Sequence, residues 1–150
     1  MNASPANRPS VLFICVKNAG KSQMAAAILT QIVGDGVEVH SAGTRPGTAI
    51  NALSAESLRE IGVDISAKVP TAIDTALLHR VDLVVTLGRE AFFDSPGVRI
   101  VNWDTDEPSE RGVDGIERMR LVRDDIAARV QRLITELVGD QSRSGTYRVT

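Results

Sequence analysis

The chain contains a single cysteine, Cys15, among 150 residues. One thiol cannot close an intramolecular disulfide, so a disulfide scaffold and an internal two-thiol redox relay are both excluded. Any thiol exchange needs an outside partner. Histidine is almost as scarce: His40 and His79 stand far apart, and with no second cysteine they offer no ligand set at metal-binding spacing. No metal site is expected, and both histidines are read as structural or exposed. Basic residues are not in excess, since 17 Lys and Arg against 19 Asp and Glu leave a formal net charge of −2, which argues against a nucleic-acid partner. Affinity for anions, if present, must be local. No apolar run approaches membrane-spanning length, and residues 1–9 lack the apolar segment of a secretory signal. A cytoplasmic protein without a membrane partner is expected.

What is present is an ordinary globular composition, 43% hydrophobic, with no break that suggests a second unit. A single domain is expected over 1–150, with a core over about 10–139 and a flexible polar tail over 140–150. Apolar runs alternate in type along the chain. Val11–Ile14, Val37–His40, Asp82–Leu87 and Val98–Val101 read as strands, while Ser22–Val33, Asn51–Ile61, Ala72–Leu78 and Ile116–Leu137 read as helices. Ser41 to Gly47 and Trp103 to Asp114 read as loops. This alternation specifies an α/β fold: a four-stranded parallel sheet covered by helices on both faces. Ligands of such sheets bind beyond the carboxyl ends of the strands.

Cys15 falls at that edge, where β-type residues 11–14 run into Val16, Lys17, Asn18, Ala19, Gly20, Lys21 and Ser22. A loop between strand and helix presents successive backbone N–H groups, and the helix adds its unpaired first-turn donors and the positive end of its dipole. Residues 16–22 are therefore a candidate oxyanion cradle. The same field favours a thiolate over a thiol, and Lys17 and Lys21 add cations. Ser22 is placed to cap the helix or to donate its hydroxyl to the sulfur, and Gly20 leaves a tight turn unobstructed. The plain alternative is a small buried hydrophobe at a strand end. Against that stands the company of two lysines, an Asn and a Gly within six positions. Asn18 itself has two readings, a hydrogen-bonding role or simple tolerance of unusual loop angles. Lys17 has the alternative of a solvated surface charge. A proton donor is expected from the acidic loop after the fourth strand, where Asp104, Asp106 and Glu107 compete and an exposed loop acid is the alternative for each. Arg118, Arg120 and Arg123 read as a solvated helix face, with contact to a thiol or a redoxin as the other option.

The run Cys15-Val16-Lys17-Asn18-Ala19-Gly20-Lys21-Ser22-Gln23-Met24-Ala25 resembles the active-site loop of the low-molecular-weight tyrosine phosphatase superfamily, in its arsenate reductase branch. His40-Ser41-Ala42-Gly43-Thr44, Trp103-Asp104-Thr105-Asp106-Glu107-Pro108 and residues 115–126 continue the resemblance over nearly the whole chain, excepting both termini. Two departures from the phosphatases matter. Lys21 replaces the usual arginine, trading a planar two-pronged clamp for a point charge. Glu107 stands where the phosphatases carry an Asp before Pro, and the aromatic pair that follows it there is Ser109 and Glu110 here. The thioredoxin-linked arsenate reductases carry two further cysteines after the third strand, whereas this stretch reads Gly88-Arg89-Glu90-Ala91-Phe92-Phe93. Lys21, Glu107 and the lone cysteine together resemble the arsenate–mycothiol transferases.

That resemblance implies a mechanism. Arsenate is held by the N–H groups of residues 16–22 and by Lys21, Cys15 attacks the arsenic, and Glu107, or Asp106 beside it, protonates the departing oxygen. Mycothiol, a co-substrate rather than a bound cofactor, then takes the arsenic, and a mycoredoxin-type, glutaredoxin-like partner reduces the conjugate to release arsenite in arsenic detoxification. Ser22 stabilises the thiolate, while Asn18 and Ser41 resemble the pair that supports the loop from behind. Two other classes stay open: a phosphatase hydrolysing phosphoesters through a Cys15 phosphocysteine, and a non-catalytic anion-sensing domain.

Overall fold

The computed structural model describes residues 8–144. Four strands, β1 (Ser10–Cys15), β2 (Glu38–Gly43), β3 (Leu83–Leu87) and β4 (Ile100–Trp103), form one parallel sheet in the order β2-β1-β3-β4. Four helices join them: α1 (Lys21–Val33), α2 (Ala52–Arg59), α3 (Thr75–Arg80) and α4 (Gly115–Ser144). The expected α/β architecture is present, with both faces of the sheet covered. The period-two alternation of a strand divides the core. Val11 and Phe13 of β1 point, with Leu83, Val85 and Leu87 of β3, into a cluster closed by Met24, Leu29, Leu58, Val122, Ile126 and Val130 of α1, α2 and α4. Leu12 and Ile14 point the other way, onto Ala42, Val84 and Leu78 of α3. Every β1 residue is buried, which is why its apolar run is continuous rather than alternating.

Strand order fixes where a site can form. The chain leaves β1 for β2 on one side and returns through β3 on the other, so the carboxyl ends of β1 and β3 bound the crevice at which connections diverge. Cys15 ends β1, and Leu87-Gly88 ends β3. Both face that crevice.

Several boundaries differ from expectation for local reasons. β2 runs three residues beyond His40, because it pairs with the whole of β1, from Ser10 opposite Glu38 to Cys15 opposite Gly43. α3 begins at Thr75 rather than Ala72, since Asp74 Oδ1 accepts from the N–H groups of Ala76 (2.9 Å) and Leu77 (3.3 Å), while Ala72 bridges to Gly43. β4 starts two residues late, after a turn in which Val98 N–H donates to Ser95 O at 3.1 Å, and so it takes in Trp103 opposite Leu87. Trp103 packs on Phe13 with ring centroids 5.7 Å apart instead of entering the loop. α4 continues past Gly139 to Ser144 without the expected break, and the rest of the expected tail, 145–150, lies outside the described residues. No helix among the described residues is long and apolar enough to cross a membrane.

Arg123 is largely buried and Arg120 partly exposed, and neither is a free solvated charge. Both converge on Glu60 beyond the end of α2, Arg120 through Nη2 (2.7 Å) and Arg123 through Nη1 (2.8 Å), and Arg123 also caps Ser57 O at 2.8 Å. Hydrogen bonding from Arg120, then Arg123, holds the Glu60 carboxyl down at about 2. Because the folded group titrates below its unfolded value of 4.5, the staple contributes fully above about pH 4.5 and is lost as pH falls through about 2. The melting-temperature gap between wild type and Glu60→Gln is accordingly constant from pH 7 to about 4.5 and closes toward pH 2, which a pH series of thermal melts reads directly.

Candidate active site

The loop from Val16 to Gly20 is shaped by what holds its carbonyls. Cys15 O accepts from Thr44 N (3.0 Å), Val16 O from Arg45 N (2.7 Å), Lys17 O from Gly47 N (2.9 Å) and Ala19 O from Asn51 N (2.8 Å). Within a peptide unit the C=O and the following N–H point in opposite directions. Turning these carbonyls outward onto segment 44–51 therefore turns the N–H groups of Val16, Lys17, Asn18 and Gly20 inward. The loop packs this closely because residue 43 is glycine: a Cβ there would stand 2.8 Å from Val16 O and 3.0 Å from Asn18 N.

Cys15 is buried, with its Sγ at the floor of the cradle. Asn18 N–H donates to the sulfur at 3.2 Å, and Ser22 Oγ lies 3.0 Å from it. The direction of the second contact follows from a neighbour. Asn18 Nδ2, which can only donate, gives a hydrogen bond to Ser22 Oγ at 2.7 Å, so the serine's own hydrogen is free to point at the sulfur. Two donors and the N-terminus of α1 then face Cys15, an arrangement that stabilises a thiolate. Ser22 does not cap the helix, whose first residue is Lys21 and whose N-cap, Gly20, makes no side-chain bond.

Asn18 is the hub. It is fully buried with φ 54°, a left-handed backbone that Asn tolerates better than other side chains. Its Oδ1 accepts from Thr71 N (2.9 Å) and Gln23 Nε2 (3.0 Å), and its backbone carbonyl accepts again from Gln23 Nε2 (3.2 Å). Both readings of Asn18 hold at once. Ser41, in contrast, makes no side-chain hydrogen bond to Asn18 among the described residues, and contributes only its carbonyl, which accepts from Thr71 Oγ1 at 3.2 Å. Gln23 and Thr71 occupy the supporting place expected of Ser41. Gln23 was within sight, inside the loop-helix run, but Thr71 is 53 residues from Asn18 and nothing local marks it.

The acids separate by their partners. Asp104 is bound by Arg89 (2.9 Å), and Asp106 is gripped at both oxygens by Arg111 (2.8 and 2.9 Å), whose hydrogen bonds hold its carboxyl below the usual range. Glu107 alone of the three reaches the loop, pairing through Oε2 with Lys21 Nζ, while its Oε1 lies 3.9 Å from Arg118 Nη2. Lys21 is thus paired with Glu107 at the edge of the cavity that holds Cys15. Lys17 and Arg45 are exposed at the rim, and with Cys15, Lys21, Leu87 and Glu90 they line an open cavity of about 330 Å³. A larger cavity of about 480 Å³ between α1 and β2 does not include the cysteine. Among the described residues no group of three His, Cys, Asp or Glu side chains converges on a metal position.

Two variants check this geometry. Asn18→Ala leaves the Thr71 N–H and Gln23 amide unpaired and Ser22 unoriented; it is expected to lose about 1–3 kcal/mol in denaturant unfolding and to slow alkylation of Cys15 by iodoacetamide at pH 7. Glu107→Gln releases Lys21 for a bound anion, so inorganic phosphate measured by calorimetry should bind on the order of 5-fold tighter, the equivalent of the ~1 kcal/mol of an exposed ion pair. Unchanged affinity would show that Lys21 serves the cradle without leaving Glu107.

Comparisons with known proteins identify the family. Residues 10–143 match the model of the low molecular weight phosphotyrosine protein phosphatase family. An arsenate reductase of Bacillus cereus is 34% identical over 132 residues, covering 84% of this chain and 94% of its own. Arsenate reductase 2 of Staphylococcus epidermidis is 32% identical over 133 residues, covering 86% and 98%. Among solved structures, a thioredoxin-dependent arsenate reductase of Corynebacterium glutamicum superposes with a TM-score of 0.73 at 34% identity over 89% of this chain, which spans 63% of that longer protein. The match across residues 10–143, together with relatives at 34% and 32% identity over more than four-fifths of the chain, leads to one conclusion: the chain belongs to the low molecular weight phosphotyrosine protein phosphatase family.

Proposed function

We propose that the chain is an arsenate reductase that works as an arsenate–mycothiol transferase. The observation that carries this reading is Cys15 itself: a sulfur held by two donors on the floor of an oxyanion cradle, in a sequence with no second thiol. Arsenate and phosphate are both tetrahedral oxyanions, and the relatives from Bacillus and Staphylococcus are arsenate reductases, which favours arsenate.

Arsenate enters over Cys15 and takes up the inward N–H groups of 16–20 and Lys21. By drawing Lys21 to itself, the anion strips Glu107 of its partner and leaves a negative charge close by. Freed of Lys21, Glu107 is the acid of the loop left to face the bound anion. Cys15 thiolate attacks the arsenic, Glu107 protonates the departing oxygen, and water leaves. Asp106 is a poor second choice, because Arg111 keeps it ionised. Ser22, oriented by Asn18, holds the thiolate before attack and again when it departs. With no other cysteine in the chain, an external thiol must take the arsenic, and mycothiol, followed by a mycoredoxin-type glutaredoxin-like protein, is the pair proposed. Lys21 in place of arginine and the exposed Ser109 and Glu110 in place of an aromatic pair count against phosphotyrosine as substrate.

Arsenite release from arsenate is the deciding assay, run with mycothiol and its redoxin, with thioredoxin and its reductase, and beside para-nitrophenyl phosphate hydrolysis. Turnover with mycothiol alone, abolished in Cys15→Ser, is expected. Turnover with thioredoxin alone, or phosphate release without arsenite, overturns the transferase reading.

A further inference from the structure

Glu90 has no place in the scheme above, yet its carboxylate stands at the mouth of the same cavity as Cys15, Lys21 and Arg45. A negative charge beside an anion-binding cradle repels the substrate and calls for a reason. Its position is specific. Glu90 lies in the single turn Arg89–Ala91 that follows β3, on the β3 side of the crevice between β1 and β3. The carboxylate folds back over Gly88, whose φ of 96° and missing side chain make the room: a Cβ on residue 88 would lie 2.7 Å from Glu90 Oε1 and 3.7 Å from Lys21 Nζ. Glycine at 88 thus lets an acid and the loop lysine approach one another above Cys15.

Its electrostatic state sets it apart from the other acids of this edge. Asp104 has Arg89, Asp106 has Arg111 and Glu107 has Lys21. Glu90 has no ion-pair or hydrogen-bond partner among the described residues, and it is exposed. A solvated carboxylate with free lone pairs, on the rim by which a second reactant must enter, is suited to receiving a proton.

We infer that Glu90 is the general base for the incoming thiol, an inference that rests on the transferase reading. In the second half-reaction the thiol R–SH approaches the arsenic already bonded to Cys15. Its proton passes to the Glu90 carboxylate while its sulfur forms the new S–As bond. The bond from arsenic to Cys15 Sγ breaks, and its electron pair leaves on Cys15 as a thiolate, received by Ser22 and the Asn18 N–H. Arsenic changes partner without change of oxidation state, and Glu90 returns its proton to solvent. Glu107 serves the first step and Glu90 the second.

The test is Glu90→Gln, assayed from pH 6 to pH 10 with mycothiol and with an aromatic thiol already ionised at pH 7. At pH 7 the variant should lose about 100-fold in mycothiol-dependent turnover, within the usual 10²–10⁴ range for a proton-transfer catalyst. The loss should disappear as pH rises through the thiol's own ionisation near 8.5, where no base is needed. With the pre-ionised thiol, variant and wild type should be equal, and inorganic phosphate should bind the variant at least as tightly as wild type. Unchanged turnover at pH 7, or an equal loss at every pH with both thiols, overturns the assignment. If wild type turns over with thioredoxin but with no small thiol, the transferase reading falls and the assignment of Glu90 falls with it, whereas mycothiol turnover unaffected by Glu90→Gln overturns the assignment alone. Absence of turnover with every thiol overturns both.

Discussion

A fully buried asparagine organises this molecule's chemistry. Asn18 sits in a left-handed turn, spends its carbonyl oxygen on Thr71 and Gln23, and spends its amide hydrogen on Ser22. Those bonds decide the direction of the next one, since a serine that already accepts has its hydrogen left for the sulfur of Cys15. Groups from one loop and its helix thus surround a cysteine at a strand end with hydrogen-bond donors. The remaining architecture keeps that chain of bonds dry and still. β1 is buried along its length, and Met24, Ala25, Ile28 and Leu29 lock α1 onto the sheet.

Charge is distributed with equal economy. The sheet edge carries several acids that would repel an oxyanion if left free, and Arg89 and Arg111 neutralise Asp104 and Asp106. Lys21 and Glu107 neutralise each other. An arriving oxyanion would offer Lys21 a more highly charged partner than the carboxylate it leaves.

How far all this was legible in the sequence depends on how local each feature is. The strand-loop-helix around Cys15 is encoded in fifteen consecutive residues, and its apolar run, turn and helical stripe read correctly. The α/β fold follows from alternation of two periodicities, again a local signal. Features joined across the sheet were not legible. Thr71 supports Asn18 through its backbone N–H, which every residue but proline possesses, so no side-chain pattern could announce it. Ser41 was placed behind the loop by the family resemblance, yet β2 continues through it and leaves its hydroxyl with no bond to the loop among the described residues. Arg120 and Arg123 read as a solvated face because Glu60, their partner, lies half a chain away. Trp103 was placed in the loop because the Ser95–Gly97 turn that delays β4 was not recognised.

The outward carbonyls of the active-site loop carry one more consequence. They are gripped by main-chain N–H groups of residues 44–51, and a main-chain donor is indifferent to the side chain beside it. Within that segment Thr44 and Arg45, which hold the loop through their N–H groups, can change their side chains, proline apart, while the geometry of the loop stays the same. Arg45 belongs to it and stands at the cavity rim. Selection can therefore retune what the pocket admits by substitution at positions that hold the catalytic loop in place, so scaffold and selectivity, carried by the same residues, evolve independently.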